Sequence, residues 1–251
     1  MLAAERLAAA KPGDRVVLDG EEGRHAATVR RVAVGERVDL VDGHGTLARC
    51  RAAAVRRGEL VVEVLGCARE PTPQPRLVVA QALAKGERGE LAVAMLTEVG
   101  VDVIVPWAAA RCVTSWRDAR GARALDRWRR TAQEAGKQAR RAWFPEVREL
   151  MDTAGLGELL RTAALPVVLH EEADVALGAL PVPASGDVVL VVGPEGGLTP
   201  QELAVLAPPG RPAARLGPTV LRTSTAGTAA AAVLLAGSRR WAARPAAHPS
   251  G

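Results

Sequence analysis

At 251 residues, 48% of them apolar and only 2% aromatic, the chain holds one large domain or a small one beside a medium one, with a core built from Val, Leu and Ala. Three widely spaced cysteines, Cys50, Cys67 and Cys112, exclude a disulfide framework and a paired-cysteine zinc site. No signal-peptide core or membrane-length apolar run occurs, so a soluble cytoplasmic protein without metal or membrane partners is expected. The net charge of +5 is uneven: Arg111–Arg148 carries eleven basic and four acidic side chains, either a footprint for a polyanion or a solvated helix face in an arginine-rich chain.

In chain order, residues 15–66 predict short strands at Arg15–Leu18, Ala26–Arg31, Arg37–Val41, Thr46–Val55 and Glu59–Leu65. Turns at Asp42-Gly43-His44-Gly45 and Arg57-Gly58 separate some of them, a pattern that indicates a small barrel or sandwich. The proline cluster Pro71-Thr-Pro-Gln-Pro75 is the natural linker. Beyond it come a strand at Leu77–Leu83, a polar turn at Lys85–Glu90, a helix at Leu91–Val99 and a strand at Val101–Trp107. A long basic helix at Asp126–Ala142 follows, then strands at Pro166–His170, Val188–Val192 and Arg215–Leu216. Strands alternating with helices imply an α/β fold with a mainly parallel sheet covered on both faces. The expected domains are residues 1–70 and 76–244, followed by an Ala/Pro-rich tail.

Two loops near the C-terminus carry the ligand signal. Gly193-Pro-Glu-Gly-Gly197 follows a buried strand and precedes a helix whose start is marked by Thr199, Pro200 and Glu202, a capping box with proline at the first helical position. Leu216–Arg222 precedes the small-residue run Thr223-Ser-Thr-Ala-Gly-Thr-Ala-Ala-Ala-Ala, which suits close packing on another backbone, at a tight chain crossing or a subunit interface, or else a plain alanine-rich helix. Loops between strand and helix are where α/β proteins place nucleotide-like ligands. Neither loop has a dinucleotide or P-loop fingerprint, so the expected ligand is nucleoside-like and lacks a polyphosphate.

Gly193-Pro-Glu-Gly-Gly-Leu-Thr199 and Leu216-Gly-x-x-Val-Leu-Arg-Thr223 resemble the two signature segments of the RsmE family, ribosomal small subunit RNA uridine-N3 methyltransferases of the SPOUT (α/β-knot) superfamily. Lys85-Gly86, Thr97-Glu98, Ile104-Val-Pro106, Arg127-Trp128, Glu134-Ala135, Gln138 and Leu169-His170-Glu171 resemble further segments of that domain, in order. His25 through Val32, then Gly35-Glu36 and Asp42-Gly43, are similar to its N-terminal RNA-binding domain. The resemblance implies a PUA-like β-barrel, a SPOUT domain with a deep trefoil knot, a homodimer through the knotted domain, and 16S ribosomal RNA of the small subunit as partner. It also implies S-adenosylmethionine cradled by Leu169, His170, Glu171, Gly193, Pro194, Glu195, Gly196, Gly197, Leu216, Gly217, Val220, Leu221 and Arg222. Two departures stand out: Ser224 occupies a position where the family usually has an acidic residue, and Met1–Ala10 has no aromatic.

Methyl transfer from a sulfonium needs alignment of donor and acceptor more than electrophilic help. Uridine N3 becomes a nucleophile only when its proton leaves, and a cation near the uracil oxygens favours that anion. Arg222 is the candidate for this task, or else braces its loop. Ser224 or Thr223 would orient the base or relay a proton. Glu195 would contact the donor or cap the next helix, and His170 would act as a base or through its peptide. The uracil has to be unpaired or extruded. Arg127, Arg129, Arg130, Arg140 and Arg141 would hold phosphates, and Arg24, His25, Arg30 and Arg31 would touch RNA from the first domain, unless His25 packs at a strand edge. Two alternatives stay open: a ribose 2′-hydroxyl as acceptor, or a non-catalytic RNA-binding assembly factor.

Overall fold

The computed structural model describes residues 7–211 and 213–242; the first six residues of the expected 1–70 domain, Pro212, the last two positions of the 76–244 domain and the Ala/Pro-rich tail lie outside the described residues. Two compact units emerge. One runs to Thr72 and includes Gly136–Phe144; the other comprises Pro73–Ala135 and the chain from Pro145 onward.

The first unit contains β1 (Arg15–Leu18), α1 (Gly20–Arg24), a π-type turn (His25–Val29), β2 (Arg37–Val41), β3 (Thr46–Arg56) and β4 (Glu59–Arg69). Its antiparallel sheet has the order β1-β4-β3-β2. Val62 and Val64 of β4 and Ala48, Cys50 and Ala52 of β3 alternate inward with period two and meet Leu18 and Leu40 in one core. The segment expected as a strand at Ala26–Arg31 is helical instead. Val29 is 68% exposed, so no buried alternating face exists to hold it in a sheet. Its backbone closes on itself, Arg30 N donating to His25 O at 2.9 Å and Val32 N to Ala26 O at 3.1 Å. His25 is therefore exposed on a turn rather than packed at a strand edge.

The return of Gly136–Phe144 to this unit follows from two close contacts. A methyl group at Gly45 would lie 2.5 Å from the Trp143 indole, and one at Gly43 would lie 2.7 Å from the Phe144 ring. Backbone bonds from Phe144 N to Gly43 O and from Gly45 N to Ala142 O, both 2.9 Å, fix the same pairing.

The second unit contains β5 (Arg76–Ala82), α2 (Arg88–Val99), β6 (Val103–Trp107), α3 (Asp118–Gln138, whose last turn belongs to the first unit), β7 (Glu146–Val147), α4 (Thr153–Thr162), β8 (Leu165–Leu169) and β9 (Val175–Ala176). A 3-10 turn (Leu177–Ala179), β10 (Asp187–Val192), α5 (Pro200–Leu206), β11 (Ala213–Arg215), α6 (Thr223–Ala236) and α7 (Arg239–Ala242) complete it. Its seven strands run in the order β7-β6-β5-β10-β8-β11-β9, and every pairing is parallel. Alternate residues of the central strands supply both faces: Leu77 and Val79 pack with Leu96, Trp128 and Leu234 on one side, and Val78 and Ala80 with Leu156, Leu160 and Leu206 on the other. This burial on both faces explains why the strands read as continuous apolar runs.

The long basic helix begins eight residues earlier than expected and ends at Gln138 instead of Ala142. Its opening turns have few large apolar residues, and small ones do the packing: a methyl group at Gly121 would lie 2.9 Å from the Trp116 carbonyl carbon. Gly121, Ala124, Leu125, Trp128, Ala132 and Ala135 form the inward stripe. α4 is an addition to the expected elements, capped where the Asp152 carboxylate accepts from Gly155 N at 2.8 Å.

Between β11 and α6 the chain passes the carboxyl ends of β8 and β10 to reach the end of β5, where Gln81 Nε2 donates to Thr223 O at 3.3 Å. α6 then packs on α2, β5 and β10, and a methyl at Gly227 would stand 3.2 Å from both Leu96 and Val192. The small-residue run thus serves close packing. Arg240 in α7 closes the unit: its Nη1 lies 2.5 Å from Asp102 Oδ2 and its Nη2 donates to Gly100 O at 2.8 Å. Asp102 also accepts from Leu77 N at 2.8 Å. With side chains only 14% and 9% exposed, the pair is protected from solvent. Arg240→Met is expected to lower the unfolding free energy by about 3 kcal/mol, since it strands a largely buried carboxylate. Urea unfolding checks this, and a loss below about 0.5 kcal/mol would mean the pair behaves as a surface contact.

Candidate active site

Three loops meet because their strands are neighbours. β10, β8 and β11 lie side by side and parallel, so the segments leaving their carboxyl ends, Gly193–Gly197, Leu169–Glu171 and Leu216–Leu221, emerge at one edge of the sheet. That edge is the crevice where open α/β sheets bind ligands. The sequence grouped these residues, and the sheet order brings them together.

Each loop has its own support. Gly197 N donates to Pro194 O at 3.0 Å, and Gly197 takes φ +71°, a conformation that suits glycine. A methyl at Gly196 would press on Arg111 Cβ at 3.1 Å. Arg111, from the loop after β6, donates from Nη1 to Gly196 O at 2.9 Å. The His170 peptide N–H is committed to Ala214 O at 3.0 Å, and His170 Nδ1 accepts from Glu172 N at 3.2 Å. In the third loop Gly217 has open space where a side chain would project, and Val220 and Leu221 are 77% and 38% exposed.

Glu202 ties two loops together. The expected capping box is present: Thr199 Oγ1 accepts from Glu202 N at 3.2 Å, and Glu202 Oε2 accepts from Thr199 N at 2.8 Å. The other carboxylate oxygen accepts from Ala110 N at 2.7 Å. Burial raises the Glu202 pKa, but the Ala110 and Thr199 amides, the Thr199 hydroxyl and the Arg111 charge outweigh that and hold it below its ordinary value. Because Thr199 and Glu202 cap α5, Glu195 does not; its carboxylate lies 3.9 Å from Arg88.

At the start of α6, the Arg222 carbonyl accepts from Thr225 N and Ala226 N, both at 2.9 Å. Its exposed guanidinium makes no hydrogen bond among the described residues. Thr223 and Ser224 are buried, 6% and 4% exposed. Gln81 escaped the sequence reading although it is a lone amide in an apolar strand. It is fully buried, bonds Ala82 O and Thr223 O through Nε2, and leaves Oε1 without a partner among the described residues.

The candidate RNA-contacting side chains fall into both units. Arg24, His25, Arg30, Arg31, Arg140 and Arg141 belong to the first, and Arg127, Arg129 and Arg130 to the second. Arg130 is exposed. Arg127 Nε lies 3.1 Å from Glu90 Oε1, and Arg129 Nη2 lies 2.6 Å from Glu149.

Comparison with known proteins agrees with this geometry. An RNA methyltransferase domain profile matches residues 70–235, and an RNA methyltransferase PUA domain profile matches residues 18–65. The chain is 45% identical over 233 residues to ribosomal RNA small subunit methyltransferase E of Mycobacterium tuberculosis, covering 91% of this chain and 89% of the relative. Among solved structures, the Neisseria gonorrhoeae ribosomal RNA small subunit methyltransferase E bound to S-adenosyl methionine superposes with a TM-score of 0.79 at 28% identity, over 90% of this chain and 93% of that one. A Legionella pneumophila methyltransferase in complex with the same cofactor gives a TM-score of 0.80 at 28% identity, over 91% and 94%.

Glu202→Gln keeps the shape but offers one acceptor oxygen where two are used. At neutral pH it is expected to cost about 1–3 kcal/mol of unfolding free energy. A carboxyl whose pKa is held low contributes stability above its ordinary value of 4.5 and loses it as pH falls through the folded value. The gap between wild type and variant should therefore narrow below that pH. Urea unfolding at neutral and acidic pH measures it, and a gap independent of pH would rule the ionised carboxylate out as the tie.

Proposed function

The chain belongs to the ribosomal RNA small subunit methyltransferase E family, and on that premise we propose that it methylates N3 of a uridine in 16S ribosomal RNA, uridine 1498 in the family's count, with S-adenosylmethionine as donor. The observation that carries this reading is the convergence of Gly193–Gly197, Leu169–Glu171 and Leu216–Leu221 at the carboxyl ends of three adjacent parallel strands.

The residues present suit that donor. Open space at Gly217 and the exposed Val220 and Leu221 suit an adenine face. The turn at Pro194–Gly197 brings backbone close without offering a polyphosphate cradle. S-adenosylmethionine supplies an electrophilic methyl group on a sulfonium. Arg222, exposed beside the third loop and without a competing hydrogen bond among the described residues, stabilises the negative charge that develops on uracil as the N3 proton leaves. Ser224, buried in the first turn of α6, orients the base. Arg24, His25, Arg30, Arg31, Arg140 and Arg141 from the first unit and Arg127, Arg129 and Arg130 from the second engage the RNA. The protein works in the cytoplasm as a homodimer; its exposed Leu91 and Val113 are apolar surface available to a second copy.

Incubation with labelled S-adenosylmethionine and unmodified small subunits, followed by nucleoside digestion and mass spectrometry, is expected to place label in 3-methyluridine. Label in a 2′-O-methylated nucleoside, or donor binding without transfer, would overturn the proposal. Arg222→Ala should lower kcat by about 100-fold or more while leaving donor affinity within a few-fold. Light scattering should give a mass about twice the 26.2 kDa of one chain, and a single-chain mass would remove the dimer from the reading.

A further inference from the structure

The cofactor loops occupy the carboxyl ends of β10, β8 and β11, but the same edge of the sheet continues over β5 and β6. There the chain leaves a cleft of about 310 Å³ between the loop after β5, the first turn of α2, the loop after β6 and α3. The volume lies at the low end of the roughly 300–1,000 Å³ that small-ligand sites occupy, enough for one base with part of its ribose. Resting on the function proposed above, we propose that this cleft receives the extruded acceptor uracil, with Trp116 against the ring and Arg127 at a carbonyl oxygen.

The wall is aromatic where a base needs a face. Trp116 and Trp128 line the cleft with ring centroids 4.9 Å apart and planes at 81°. Trp128 is 2% exposed, whereas Trp116 is half-buried and open to contact. Enzymes that act on a flipped base hold it by stacking of this kind. The wall is polar where a base needs an edge. The charged groups lining the cleft are Glu87 and Glu90 at the start of α2 and Arg127 of α3. Glu90 Oε1, 3.1 Å from Arg127 Nε, orients the guanidinium and leaves its other N–H groups to donate. Donation to uracil O2 or O4 favours the N3 anion and keeps N3 itself clear for the methyl group. Glu90 is thus a positioning residue and Arg127 a substrate contact.

The cleft is also mechanically joined to the donor loops. Arg88, next to Gly89 in the cleft lining, lies 3.9 Å from Glu195, and Arg111, five residues before Trp116, bonds Gly196 O. The loop that carries Trp116 is therefore braced against the loop that carries the donor.

The test uses the full-length protein, unmodified small subunits and S-adenosylmethionine. Trp116→Ala is expected to lower kcat/KM for the subunit about 5- to 150-fold, the range for losing one base–aromatic stack, with Trp116→Phe recovering most of it. Arg127→Met, at an exposed position that does not threaten folding, is expected to lower kcat about tenfold or more and to regain activity as pH rises and N3 ionises unaided. Donor affinity, read by calorimetry, should hold within about twofold in all three. Wild-type kcat/KM in both Trp116→Ala and Arg127→Met, or a parallel loss of donor affinity, overturns the cleft assignment. If wild type labels 3-methyluridine while the variants match it, the cleft alone fails; if wild type labels no 3-methyluridine, the function it rests on fails.

Discussion

The carboxylate of Glu202 joins segments 92 positions apart in sequence, taking Ala110 N on one oxygen and Thr199 on the other. Much of the site hangs on that tie. With Ala110 fixed, Arg111 is placed to bond Gly196 O and press on the Gly196 backbone, and the turn at Pro194–Gly197 is held from behind. With Thr199 fixed, α5 starts where β10 needs its loop to end. A buried charge is tolerated here because both carboxylate oxygens accept hydrogen bonds, from two amides and a hydroxyl, and the Arg111 charge lies nearby. Removing the donors would leave the burial penalty uncompensated.

Local chemistry was legible in the sequence, and partnership was not. Arg37–Val41 is a strand with the bounds its alternation gave, and the Thr199–Glu202 capping box forms as its spacing required. The Ala26–Arg31 segment misled because two alanines and a threonine look compatible with a strand, yet Val29 has nothing to bury against. The first turns of α3 differ for the opposite reason: Asp118–Arg123 looks like loop, but Gly121 there packs on Trp116. The site shows the same division. The three loops could be read as glycine-marked segments, whereas Gln81 and Arg111 gain their roles from contacts far along the chain, and Trp116 from Trp128 on the helix that follows it.

The arginine excess between Arg111 and Arg148 reads as either a polyanion footprint or a solvated helix face, and the fold divides it. Its last part, Gly136–Phe144, is drawn into the first unit by Trp143 and Phe144, and takes Arg140 and Arg141 with it. Among those that stay with the second unit, Arg111 is spent on a loop and Arg129 on Glu149, while Arg127 gives its Nε to Glu90 and keeps its other N–H groups. Net charge therefore overstates how much of this segment meets phosphate. Counterion release follows the cations that actually face RNA, so the salt dependence of binding should be shallower than eleven basic residues suggest.

The burial of Ser224 bears on how the N3 proton leaves. Where related sequences were expected to carry an acidic side chain, this chain has a hydroxyl that is 4% exposed. The carboxylates around the glycine-marked loops are otherwise engaged: that of Glu202 accepts three hydrogen bonds from Ala110 and Thr199, and that of Glu195 lies near Arg88. Glu171, exposed at the end of β8, belongs to the side of the crevice opposite the β5–β6 cleft. A site so arranged gains more from stabilising the conjugate base than from a strong proton acceptor. Each cation that donates to a uracil oxygen lowers the free energy of the N3 anion, and the proton can then leave to water. On the proposed reading, Arg222 and Arg127 do the work that a carboxylate base would otherwise do, and the buried serine is consistent with that chemistry.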